Sequence, residues 1–204
     1  MARVDVPPTK SNLRKIKDEL SFANEGFDLL EQKREILVME IVKLVNRIKD
    51  TEKDLKTALN DLYQNYRISA MEMGSEIIIS KGLHEKKRYE VSVESSKLMG
   101  IMIPEIKLEG LDICLESGLF GTGVMYDLTK KKSLEVIVLL AKYASVAKSS
   151  FLLSRELKKV QRRVNALEKI FIPQYEESKK YITDRLEEME REEFFIKKMI
   201  RELG

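Results

Sequence analysis

The sequence predicts a mainly α fold, a long antiparallel two-helix coiled-coil hairpin with a small β-hairpin-containing insert between the helices. Three observations predict it. Apolar residues recur at alternating spacings of three and four through both flanks of the chain. Seven of the nine glycines fall between Gly74 and Gly123. Charged residues make up 35% of the 204, whereas aromatics make up 7% and Trp is absent. A chain so charged and so poor in aromatics suits extended helices better than a thick globular core.

The elements follow in chain order. Pro7-Pro8 imposes an extended approach, and Thr9 is the natural N-cap of what comes next. From Thr9 to Met73 the only punctuation is Gly26, so residues 1–75 are read as the first long helix. Two interleaved heptad sets describe it: Leu13, Leu20, Phe27, Arg34, Ile41, Ile48, Leu55 and Leu62, and Ile16, Ala23, Leu30, Leu37, Leu44, Thr51, Ala58 and Asn65. Only Arg34, Thr51 and Asn65 break the apolar pattern. Residues 76–132 form the insert. There Tyr89-Glu-Val-Ser-Val93 alternates with period two, and Ile101 to Leu108 is β-rich with Pro104 marking an edge strand, which predicts a short hairpin. Gly118, Gly121 and Gly123 are read as the turn into the last segment.

Residues 133–204 are read as the second long helix. Val136, Leu139, Tyr143, Val146, Ser150, Leu153, Leu157, Val160, Val164, Leu167 and Phe171 keep the seam, with Ser150 alone polar. Beyond Pro173 the pattern resumes at Ile182, Leu186, Met189, Glu193, Ile196, Ile200 and Leu203, displaced by one residue. Such a skip at a proline calls for a local kink or register change. Folding the flanks back on each other gives a rod about 100 Å long at 1.5 Å per residue. Pairing by residue numbers that add to roughly 208–216 sets Arg34 near Glu176 and Glu177. An Arg in an apolar seam is costly unless paired, so an ion pair that specifies register is expected there, the alternative being an Arg34 head that reaches water.

Little in the sequence points to catalysis. No GxxxxGK(S/T) string is present, and Gly118-Leu-Phe-Gly121-Thr-Gly123 carries the dinucleotide glycines in reversed spacing with no clear strand before it. One His and one Cys cannot build a structural zinc site, and the residue four beyond His84 is Arg88, where a zincin needs a second His. Cys114, in Leu-Asp-Ile-Cys-Leu, reads as a small buried hydrophobe. The carboxylates of Glu187-Glu188-Met-Glu190-Arg191-Glu192-Glu193 read as a solvated face laced with i,i+4 pairs. Lys86-Lys87-Arg88 and Lys130-Lys131-Lys132 lack interleaved aromatics for stacking bases, and the net charge is only +3, so nucleic acid is not an expected partner. No metal, cofactor or independent enzymatic activity is expected. The start Met-Ala-Arg-Val-Asp has no signal-peptide core, and the single Cys suits a reducing compartment. The longest apolar run, Val136 to Ala141, is far short of the roughly 20 residues that cross a bilayer, so no direct bilayer insertion is expected.

Two surfaces differ in character. Between Leu134 and Leu153 fourteen of twenty residues are apolar, and Ile137, Leu140, Ala141 and Ala144 lie off the seam. With Leu59, Tyr63, Tyr66 and Met71 opposite, this face predicts a protein partner, unless the insert folds over it. At the other end, sixteen of the twenty-nine residues from Glu176 to Gly204 are charged, which predicts a hydrated surface with weak, exchangeable contacts.

Two stretches carry a family resemblance. Pro8-Thr9-Lys10-Ser-Asn-Leu13, with Leu29-Leu30 and Lys33-Arg34-Glu35-Ile-Leu37, is similar to the N-terminal pattern of the D-subunit of the V-type and archaeal (A-type) rotary ATPases. Arg162-Arg163-Val164-Asn165-Ala166-Leu167-Glu168, followed by Ile172-Pro173 and Glu190-Arg191-Glu192-Glu193-Phe194-Phe195, resembles its C-terminal pattern. Glu31 departs from the Lys usual in that family, as does the doubled Pro7-Pro8; the insert carries no matching motif. The resemblance implies a non-catalytic central rotor shaft that transmits torque between a ring of catalytic A and B subunits and H⁺ or Na⁺ transport. It implies the small F-subunit at its side and the C-subunit below, on the cytoplasmic side and peripheral to the membrane. It implies ring contacts from Lys10, Arg14, Lys17, Arg191, Lys197, Lys198 and Arg201, and assigns the apolar face to the F-subunit. Two other classes fit the residues less well. A prefoldin-like chaperone is expected to expose apolar tips, and a tether or scaffold is expected to be a homodimer.

Overall fold

The computed structural model describes residues 6–84, 89–110 and 123–203. The chain opens with α1, Lys10–Met73, and α2, Ser75–His84. A hairpin of β1, Glu90–Leu98, and β2, Ile101–Glu109, follows. Then come α3, Val124–Ala166, one π-helical turn over Leu167–Phe171, and α4, Ile172–Leu203. Contacts divide the molecule into two compact units, one of Met1–Val38 with Glu156–Gly204, the other of Met39–Arg155.

Local chemistry explains the element ends. Thr9 caps α1 as anticipated: its Oγ1 accepts the Asn12 backbone N–H at 3.2 Å, and its carbonyl accepts that of Leu13 at 2.9 Å. At the other end Gly74 takes φ +82°, a conformation natural to glycine, and returns its N–H to the Ala70 carbonyl at 3.0 Å. That closes α1 and lets α2 begin one residue later. Gly123, whose carbonyl accepts the Tyr126 N–H at 3.0 Å, immediately precedes α3. Helix α3 thus begins at Val124, nine residues ahead of the expected boundary at 133, with Tyr126 buried in its first turn. Residues 85–88, Cys114, Gly118 and Gly121 lie outside the described residues.

The hairpin is present, with both strands longer than the alternation suggested. Its antiparallel register pairs Glu90 with Glu109 and Leu98 with Ile101. The two-residue connection, Met99 at φ 52° and Gly100 at φ 80°, has the positive φ values of the turn whose twist matches that of the strands. Pro104 sits opposite Ser95 in β2, tolerable because every strand of a two-stranded sheet has an outer edge.

In the first unit the buried apolar residues are Ile16, Ala23 and Leu37 from α1 and Val160, Val164 and Ile182 from the C-terminal helices. In the second they are Leu55, Tyr126, Val136 and Leu153. All sixteen heptad positions of α1 are buried or half-buried. In the C-terminal helices the seam holds from Val136 to Leu167 and again at Ile182 and Leu186, whereas Phe171 and Met189 are exposed. The one-residue skip meets its expected local irregularity in the π turn just before Pro173, where the Ile172 N–H reaches back five residues to the Leu167 carbonyl.

Within each unit α1 meets one of the later helices, but not in the expected register. Lys10 meets Glu190, and Arg34 meets Gln161. In the second unit Ser69 meets Thr129. The numbers of these partners add to between 195 and 200, close to the strand pairs, which all add to 199. An expected sum of roughly 208–216 places the turning point at about residues 104–108. The strands turn earlier, at Met99–Gly100, where the backbone adopts consecutive positive φ.

Candidate functional site

The residues expected to contact a ring lie on the first unit, all exposed: Lys10 and Lys17 on α1 with Arg14 between them, and Arg191, Lys197, Lys198 and Arg201 on α4. Four of them are engaged in ion pairs. Lys10 Nζ is 2.7 Å from Glu190 Oε1, Arg191 pairs with Glu187 at 3.7 Å, Lys197 with Glu193 at 3.3 Å and Lys198 with Glu202 at 3.9 Å. The hydrogen bond and charge of Lys10 hold the Glu190 carboxyl below the usual carboxylate range, while Glu190 raises the Lys10 ammonium. Both side chains are mostly exposed, so these contacts exchange readily with solvent or a partner.

The same end carries apolar residues that the charge count obscured. Phe194, Phe195, Ile196, Met199 and Ile200 are all exposed, Phe194 by 72% and Ile200 by 66%. Every described side chain from Glu187 to Glu202 is exposed. Among the described residues the seam pattern continues here without a helix to receive it: α1 starts at Lys10, whose partner is Glu190. The end of α4 is therefore amphipathic and unpartnered as well as charged. A shallow groove of about 360 Å³ lies along it, lined by Glu187, Glu190, Arg191, Phe194 and Phe195. The signal was in the sequence, as the Phe194-Phe195 doublet and the continued 3,4 spacing at Ile196 and Ile200.

The apolar face expected to receive a side partner lies in the second unit. Tyr63, Tyr66, Met71, Leu140 and Ala144 are exposed, and Leu59, Ile137 and Ala141 are half-buried. The insert does reach this stretch of α3, for Ser145 Oγ donates to the Pro104 carbonyl of β2 at 2.9 Å. Covering is thus partial. Beside it the hairpin bears Val91, Val93 and Met102, each more than half exposed. The run of α3 into α4 also contains an 18-residue stretch apolar enough on average to cross a membrane, although its longest unbroken apolar run is short. Lys142 and Lys148 interrupt the run without removing the average, and only 17% of that stretch is buried. An exposed apolar flank, read as a protein face, gives the same signal.

Arg34 departs from its expected pairing. Its guanidinium donates to Glu31, one turn earlier on α1, and through Nη1 to Gln161 Oε1 across the seam at 3.3 Å. Gln161 Nε2 in turn donates to Asn165 Oδ1 at 2.8 Å. Glu176 and Glu177 are not among its partners. The register places Gln161, not the acidic pair, opposite Arg34, and Glu31, the residue that departs from the family pattern, supplies the negative charge.

Among the described residues no group of three or more His, Cys, Asp or Glu is placed to hold a metal ion. Long helices with a narrow seam, charged exchangeable contacts at one end and an uncovered apolar flank define a helical component of a larger assembly. The comparisons with known proteins specify which. The family model for the ATP synthase D-subunit matches residues 12–202. The chain is 34% identical over 204 residues to the V-type ATP synthase D-subunit of Thermotoga neapolitana, covering 98% of each chain. It is 34% identical over 199 residues to the A-type ATP synthase D-subunit of Methanobrevibacter smithii, covering 96% of this chain and 86% of that one. Against the A-type ATP synthase D-subunit of Methanoregula boonei it is 30% identical over 207 residues, covering 100% and 99%. The chain belongs to the D-subunit family of V/A-type ATP synthases.

Proposed function

We propose that this chain is the non-catalytic central shaft of a V/A-type ATPase, an antiparallel two-helix element that transmits torque between nucleotide chemistry in a ring of A and B subunits and H⁺ or Na⁺ transport. What carries the reading is family membership over residues 12–202 together with a first helix of 64 residues without an interior break. An unbroken hydrogen-bonded helix with an apolar seam resists bending and twisting, as a shaft must. The ring turns against the end that bears both termini, through Lys10, Arg14, Lys17, Arg191, Lys197, Lys198 and Arg201 and the exposed apolar residues between them. Weak, hydrated ion pairs allow such contacts to be remade at each step. The flank formed by Leu59, Tyr63, Tyr66, Met71, Ile137, Leu140, Ala141 and Ala144 receives the small F-subunit, and the C-subunit lies below. The shaft works on the cytoplasmic face, peripheral to the membrane.

The test is purification of the tagged chain from its host in mild detergent, with mass spectrometry and an ATPase assay on the eluate. Two large nucleotide-binding subunits recovered with ATPase activity support the reading. A lone homodimer without activity would overturn it. Ile137→Lys with Leu140→Lys is expected to keep the chain helical and to lose the small F-subunit from the eluate; its retention would remove that partner from this flank.

A further inference from the structure

The π turn at Leu167–Phe171 lies directly beyond a polar chain that crosses the seam of the first unit, Glu31–Arg34–Gln161–Asn165. A π turn accommodates one residue more than the α turn it replaces. The sequence agrees, because the seam at Val164 and Leu167 resumes at Ile182 and Leu186 one residue late. None of the five residues of the turn is fully buried and only Leu167 is half-buried, so little side-chain packing holds it in place. Such a dislocation can travel along a helix by exchanging one i→i−4 bond for one i→i−5 bond at each step, which conserves the number of bonds. Every step carries the passed residue about 100° around the helix, out of the seam or into it.

Two features oppose that travel. Toward the C-terminus stands Pro173, whose ring in a regular helix would meet the carbonyl of Lys169; opening the preceding turn relieves the clash. Toward the N-terminus, passage through Asn165 and Gln161 would rotate both away from Arg34. Breaking that chain leaves a half-buried guanidinium short of an acceptor beside Glu31, whose Oε2 is already buried without a hydrogen-bond partner. We propose that Leu167–Phe171 is a trapped register dislocation, a place where the C-terminal helix can slip by one residue against α1, and that Arg34, Gln161 and Pro173 are the positioning groups that confine it. A polar group at one seam position commonly serves to specify register. Here it also sets where the extra residue resides. The inference stands on the geometry of the first unit and does not require the shaft role.

Hydrogen exchange on the full chain, read by mass spectrometry, tests it with three variants. In the wild type the amides of 168–172 should exchange faster than those of 157–166. Arg34→Leu should retain helicity, while exchange across 157–166 accelerates by about fivefold, the change expected from one net hydrogen bond. Pro173→Ala should spread the fast segment toward residue 178. Deletion of Ile170 removes the extra residue, and should slow exchange over 165–172 by about tenfold or more without lowering the melting midpoint. Unchanged exchange over 157–166 in a folded Arg34→Leu chain would overturn the proposal. A midpoint lowered by more than about 5 °C in the deletion would do the same, since it would show that the extra residue belongs to the packing. If Arg34→Leu does not fold, the Ile170 deletion decides alone.

Discussion

Ser69 Oγ and Thr129 Oγ1 lie 3.0 Å apart, and Ser69 is completely buried. Thr129 gives its one hydroxyl proton to the Met125 carbonyl at 2.8 Å, so Ser69 must be the donor in the pair. This hydroxyl pair ties α1 to the first turns of α3. Removing the donor costs about 1 kcal/mol, whereas Thr129→Val leaves a buried Ser69 hydroxyl without its acceptor and costs about 1–3 kcal/mol. Ser69→Ala should therefore be the milder change in urea unfolding. The double variant Ser69→Ala/Thr129→Val should cost less than the two together. Strict additivity would show that the hydroxyls do not interact.

Leu37 and Leu29 stand eight residues apart on α1, the first with no exposed surface and the second 67% exposed. Leu37→Ala should lower stability by about 2–5 kcal/mol, the range for a fully buried leucine. Leu29→Ala should change it by less than about 0.5 kcal/mol. Equal effects would mean that the seam runs elsewhere.

Met99 occupies a positive-φ position that Asn or Gly adopts with less strain. Met99→Asn should stabilise the hairpin by about 0.5–1 kcal/mol, seen as slower exchange of the β1 and β2 amides. Faster exchange would show that the methionine side chain contributes more by packing than its backbone costs.

The Lys10–Glu190 pair makes a signed prediction in pH. Glu190 is held below the carboxylate range, so its contribution is present above the unfolded carboxylate pKa and is lost as pH falls through the folded value. Lys10 is raised, so its contribution is complete below the unfolded lysine pKa and disappears as pH rises through the folded one. The pair should therefore support the end of the first unit across neutral pH and vanish at both extremes. Because both groups are hydrated, the effect should be small and should fade with salt. Comparing Glu190→Gln with the wild type by melting midpoint against pH at low salt checks this. A difference that grows at acid pH would contradict it.

How much of this was legible in the sequence depended on the range of the interaction involved. The Thr9 cap and the end of α1 at Gly74 involve residues within four positions of each other, and both are marked by local residue types. The seam was equally legible, since a heptad repeat is a local record of one buried face. The hairpin was found by alternation but not its ends. Register was missed, and with it the partner of Arg34. Sliding one heptad helix along another by whole repeats preserves the apolar match, so sequence periodicity leaves several registers nearly equal. The exposed apolar end of α4 was missed for a related reason, since Ile196 and Ile200 satisfy the seam rule whether or not a helix lies opposite.

The sequence by itself therefore determined most of the elements, though not α2: two long helical flanks, a β-hairpin between them, the irregularity before Pro173 and the family. Those are set by backbone propensity, by the fixed φ of proline and by the repeat of buried faces, all of which act over one or two turns. Only the tertiary structure decided which residues meet. The strand turn at Met99–Gly100 sets pairs whose numbers add to 199, and the helix partners within each unit lie close to that sum. Arg34 finds Gln161, and among the described residues α4 runs past the start of α1, so that its last apolar residues are left exposed. Those outcomes depend on a choice among near-degenerate registers, and that choice is made by contacts between residues far apart in the chain.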